Sequence, residues 1–218
     1  MSKREFWSYL EILCHRAKEL GALEAVAIPV TDIVVDERAV LKCLVPRCPF
    51  YGTNLTCPPN LMPVSEFKKI LKAYHYAILI KIDSASSGLP EGLTRLNDIS
   101  KAWEITQSAG SKEKQPITPI TEYVRVLRDS QKRLYEIITQ IESICIREGY
   151  CFAAGLSAGA CFLCDECVGP KSACRHPFKA RPSMEAMAID VVATAKRAGM
   201  RLNFDQDARS WWGLILVD

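Results

Sequence analysis

The sequence predicts an α/β or α+β protein, a mixed sheet flanked by helices that carries two cysteine-rich loops. Three observations point there. Amphipathic stretches of helical period alternate with short apolar runs of strand length. The strands are separated by long helical segments, as in a sheet packed against helices rather than in an all-β sandwich. Seven of the ten cysteines crowd into two Pro/Gly-containing stretches between these elements.

Residues 4–20 form the first predicted helix, with Phe6, Leu10, Leu13 and Leu20 on one side and Gly21 ending it. Residues 25–30 and 33–35 read as short strands, and Pro29 argues for an edge or a break. Residues 43–59 read as a structured loop, stiffened by Pro46, Pro49, Pro58 and Pro59. A helix from Pro63 or Ser65 to Tyr74 precedes an apolar strand from Tyr76 to Ile82. Residues 83–118 are polar and rich in Ser, Gly and Pro, and read as a long excursion with one short helix around Leu93 to Thr106. Glu122 to Arg147 is a long amphipathic helix with Val126, Leu134, Ile137, Ile138, Ile141 and Ile144 inward. Tyr150 to Ala154 is a strand leading into a second loop, 155–182. A helix capped by Ser183 is expected to run to Gly199, and Trp211–Val217 is the last strand. The whole, 1–218, is expected to be a single domain without internal repeats.

Composition narrows the function. A hydrophobic fraction of 49% and a charged fraction of 24% are those of an ordinary globular protein. A net charge of +3, without a dense Lys/Arg run or interleaved aromatics, argues against nucleic acid. No secretory signal and no apolar run of about 18 residues is present, so a cytoplasmic protein with no membrane partner is expected. In a reducing compartment ten cysteines are not a disulfide framework, and their bunching suits metal ligands.

The second loop is the stronger signal. Cys161, Cys164 and Cys167 follow the C-x2-C-x2-C spacing that lets successive thiolates reach different irons of a [4Fe-4S] cube, and Cys174 follows after a longer step. Gly155, Gly159 and Gly169 are expected to bring backbone N–H groups to inorganic sulfides, and Lys171, Arg175, Lys179 and Arg181 to supply positive charge. The helix near Ser183 is expected to point its positive end at the loop. Zinc is the weaker reading, because zinc sites usually pair two knuckles across a longer stretch. In the first loop, Cys43, Cys48 and Cys57 match no common ferredoxin or zinc spacing, yet their rigid setting favours ligation over core packing. Seven loop cysteines are one short of two all-thiolate cubes. The eighth ligand is Cys145, Cys151 or His176, or one iron stays open to a small molecule. Cys14 beside His15 reads as core, His75 as a core or edge histidine, and Glu185 as a helix-dipole partner or a mate for Arg181.

The chain resembles a family of cysteine-rich predicted metal-binding proteins of bacteria and archaea, common in anaerobes. The resemblance rests on two stretches. One is Cys48-Pro49-x-Tyr51-Gly52 with Cys57-Pro58-Pro59. The other is Gly159-x-Cys161-x2-Cys164-x2-Cys167 with Cys174-Arg175-His176-Pro177 and Arg181-Pro182-Ser183-Met184-Glu185-Ala186. It implies metal or iron–sulfur binding through these cysteines and no particular reaction. The expected function is therefore electron transfer, or a redox accessory role, by one or two [4Fe-4S] clusters and a partner protein. The alternatives are an open-iron enzyme acting on a sulfur-containing or other small metabolite, and a zinc-stabilised binding module. A radical S-adenosylmethionine enzyme and a nucleotide-binding enzyme are disfavoured, since neither C-x3-C-x2-C nor a phosphate loop occurs.

Overall fold

A computed structural model describes residues 3–84, 119–201 and 210–218. The polar excursion from residue 85 onward, with its expected short helix, lies outside the described residues. Helix α1 (Lys3–Glu19) leads to strand β1 (Glu24–Pro29), then to the short helices α2 (Arg38–Leu44) and α3 (Val64–Leu71). Strand β2 (Tyr76–Asp83), the long helix α4 (Pro119–Arg147), strand β3 (Ala154–Leu156), helix α5 (Val191–Arg197) and strand β4 (Ser210–Val217) complete the order. The four strands form one sheet in the order β1-β2-β4-β3, antiparallel at every pairing. The fold is thus α+β, and its sheet is antiparallel rather than mixed. Pro29 ends the edge strand β1, where a missing N–H costs the ladder least.

Strand β2 is apolar almost throughout because both faces of the sheet are covered. Ile78, Ile80 and Ile82 face one core with Leu10, Leu13 and Ala17 of α1 and Leu134, Ile138 and Ile141 of α4. Ala77 and Leu79 face the other, with Phe67 and Leu71 of α3, Met184, Met187, Ile189 and Ala195. The period-2 alternation along one strand therefore feeds two cores. Each buried Ile or Leu contributes roughly 1.5–3 kcal/mol. Two glycines let α4 lie close to the sheet. A Cβ at Gly155 would stand 2.2 Å from Ile138 Cγ2, and one at Gly213 would stand 3.0 Å from Ile138 and Leu134.

Four elements depart from the sequence reading. The expected strand 33–35 is reduced to an isolated bridge between Val35 and Ile189, with the chain turning through a 3-10 segment just before it. Arg38–Leu44 is helical, so Cys43 sits on the last turn of α2 and not in the loop itself. Strand β3 begins only at Ala154, at the end of the expected strand Tyr150 to Ala154; Tyr150 to Phe152 form the turn after α4. The helix expected from Ser183 to Gly199 is broken. Only a 3-10 turn, Glu185–Met187, follows Ser183; Ala188 then adopts φ +63°, and Asp190 caps the separate helix α5 by accepting from Ala193 N at 2.9 Å. A left-handed residue ends a right-handed helix. The expected helix dipole aimed at the second loop is therefore absent.

Candidate metal centre

The second loop hangs from one face of α4. Gln131, Tyr135, Ile138 and Glu142 recur at helical spacing, so they share a side. Gln131 Nε2 donates to the carbonyls of Ala158 and Ala160, and its Oε1 accepts from Phe162 N at 3.0 Å. Tyr135 Oη donates to Arg181 O at 3.1 Å. Glu142 is buried and joins the two ends of the loop. Its Oε1 accepts from Gly155 N at 2.6 Å, while Arg181 bonds both carboxylate oxygens, with Nη2 to Oε2 at 2.7 Å. Because this pair is largely withdrawn from water and bidentate, it is stronger than a surface ion pair.

This geometry corrects several expectations. The Gly155 N–H goes to Glu142, and the residue is glycine because Ile138 leaves no room for a Cβ. Gly159 and Gly169 adopt φ +62° and +71°, and Gly169 lies against Thr53 O of the first loop. Arg181 pairs with Glu142 and Lys179 with Glu136, so neither charge is left for an anionic cofactor. Glu185 is accordingly no mate for Arg181.

Cys161, Cys164, Cys167 and Cys174 all line one small cavity, with Asn54, Leu55 and Thr56 of the first loop on its wall. No cysteine is in a disulfide among the described residues. Two sulfurs accept backbone N–H groups: Cys167 Sγ from Leu55 N at 3.5 Å and Cys174 Sγ from His176 N at 3.3 Å. Among the described residues, no three Cys, His, Asp or Glu side chains converge closely enough to hold a single metal ion. Ligation requires these thiols to turn inward from the cavity wall.

The first loop docks on the second. Asn54 is its hub, nearly fully buried. Its Oδ1 accepts from Thr56 N and Oγ1, its carbonyl accepts from Asn60 Nδ2 and from Cys57 N, and its Nδ2 donates across to Cys161 O at 3.2 Å. The rings of Phe50 and Phe162 meet edge-on at 5.5 Å. Cys43, Cys48 and Cys57 are brought within electrostatic reach of one another. Burial, and then the neighbouring Cys48, Cys43 and Cys161, push the Cys57 thiol up to about 12. Burial, then Cys48 and Glu185, also raise Cys43. Burial raises Cys161 as well, opposed by the nearby Leu163 backbone and Tyr135 side chain. All three are protonated thiols at neutral pH, so a metal must displace protons to bind them.

The soft, all-sulfur donor set, with N–H groups already directed at two sulfurs, fits a thiolate-bound zinc ion or an iron–sulfur cluster. The other cysteines stand apart. Cys14 and Cys145 are buried in the core between α1, α4 and the sheet, and burial lifts each to about 11. Cys145 contacts Tyr9 there, which removes it from the three candidates for an eighth ligand. Cys151 is exposed on the turn after α4. His176 borders the cavity, while His75 is exposed and paired with Asp218. Sequence reasoning missed Gln131, Glu142 and Asn54; the polar breaks at 131 and 142 in an otherwise apolar helix face were the available signal.

Residues 26–217 match the model of the family described as Predicted metal-binding protein (DUF2284), and the chain belongs to that family. No curated protein and no solved structure matches the chain.

Proposed function

We propose that this member of a metal-binding family is an iron–sulfur protein, with Cys161, Cys164, Cys167 and Cys174 holding a [4Fe-4S] cluster and Cys43, Cys48 and Cys57 a second metal group. The observation that carries the reading is the shared cavity: four cysteines free of disulfides, in cluster-like spacing, line one wall. When bound, such a cluster supplies a one-electron couple. The chain's part is to hold its ligands still, to direct the Leu55 and His176 N–H groups at sulfur, and to keep water from Cys57 and Cys161.

The role is electron transfer, or redox support of a partner enzyme, in the cytoplasm. Phe178, 85% exposed, with Lys171 and Arg175 near it in sequence, gives the loop an outer face for a redox partner protein. Among the described residues no helix is long and apolar enough to cross a membrane. The test is purification without oxygen, with iron, acid-labile sulfide and zinc measured per chain beside an EPR spectrum of the reduced protein. Iron and sulfide in equal amounts, with a reversible signal, are expected. Colourless folded protein carrying stoichiometric zinc would select the zinc-stabilised module instead.

A further inference from the structure

The first loop supplies three cysteines where a cube or a tetrahedral ion takes four ligands. Cys145 is committed to the core, and Cys161 lies beside Cys164, Cys174 and the Tyr135 hydroxyl as well as near Cys57. A different group lies near Cys43. The 3-10 turn Glu185–Met187 packs against α2, the helix that carries Cys43. Glu185 lies within electrostatic reach of Cys43 and Lys42 of that helix, and the Ser183 hydroxyl and the Gly159 N–H lie within its hydrogen-bonding reach. Its Oε2 has essentially no contact with solvent and no hydrogen-bond partner. A buried carboxylate oxygen left bare is rare in a native fold and calls for a missing partner.

We infer that Glu185 Oε2 is the fourth ligand of the metal group held by Cys43, Cys48 and Cys57. The inference rests on the proposal that the cysteine loops bind metal. It replaces the open iron with a three-thiolate, one-carboxylate site. Ser183 and Gly159 steady the carboxylate, and Lys42 offsets part of the negative charge that three thiolates and a carboxylate bring together. The oxygen is a harder donor than sulfur, so this ligand is the one most readily exchanged. The break in the helix at Ala188 acquires a purpose, since it leaves Glu185 on a short turn against α2.

The test compares the full chain with Glu185→Gln, Glu185→Cys and Cys48→Ser, each reconstituted anaerobically with ferrous iron and sulfide. Glu185→Gln keeps the shape and removes the charge. It is expected to weaken metal at the first site about tenfold or more and to remove the same EPR and Mössbauer component that Cys48→Ser removes. Glu185→Cys is expected to restore iron with an altered spectrum. A Glu185→Gln protein with wild-type iron, sulfide and spectra overturns the inference, even if it melts earlier, because a purely structural carboxylate moves stability and not the spectrum. If Glu185→Gln does not fold, Glu185→Cys decides: failure to retain first-site iron in folded protein overturns the inference. A wild-type chain that binds no iron sinks the proposed function itself, which is a distinct result.

Discussion

The two cysteine loops are built on opposite plans. The second is slung from a rigid helix, with Gln131, Tyr135 and Glu142 of α4 holding its entrance and exit. The first starts from the last turn of the short helix α2. It is folded by its own turns, by the Asn54 hub, and by leaning on the second loop through Asn54, Leu55 and Phe50. The difference teaches a direction of dependence: the scaffold positions the second loop, and the second loop positions the first.

The strongest way to break this hierarchy is Glu142→Ala. It strips Arg181 of its carboxylate and frees Gly155 N, and should cost about 3 kcal/mol or more in thermal or urea unfolding. Metal should be lost from both loops together. Next comes a pH measurement on the scaffold alone. Cys14 and Cys145 keep their protons up to about 11 when folded, whereas unfolded thiols release them near their ordinary value. Between those values the unfolded chain binds fewer protons, so stability falls as pH rises. The loss approaches about 2 kcal/mol per thiol and vanishes for that thiol in Cys14→Ala or Cys145→Ala, as urea unfolding at successive pH values would record.

Gln131→Leu should sharpen the picture further. It leaves the Phe162 N–H and two loop carbonyls without their partner, for about 1–3 kcal/mol, and should loosen the second loop in hydrogen exchange, with the first loop following. The smallest effect is expected from Asn54→Ala, about 1 kcal/mol, with faster exchange confined to residues 50–60. Equal loosening of both loops by Asn54→Ala would refute the one-way dependence.

Much of the scaffold is legible in the letters. α1, α4, β2 and β4 carry clear periods, because each shows apolar faces to a core on a regular step. The short helix α2 is not, since Arg38–Leu44 is too brief for a period to emerge and buries no residue. The helix expected after Ser183 fails at Ala188, whose left-handed backbone is imposed by tertiary packing that no local propensity announces. The cysteine inventory is readable from spacing alone. Its supports are not, because Gln131, Glu142 and Glu185 matter through chain segments that meet them only after folding. Arg181 and Gly155 stand out in the sequence for a reason the structure replaces: both serve the clamp on α4.

The Asn54 amide and the carbonyl it binds are 107 residues apart. A ribosome adding roughly 5–20 residues per second needs about 5–20 s to cover that interval. Throughout it the nascent chain carries Cys43, Cys48 and Cys57 without the surface that later encloses them. The interval in which oxidants or stray metals reach these thiols is thus set by translation, and it closes only when the distal half of the polypeptide emerges.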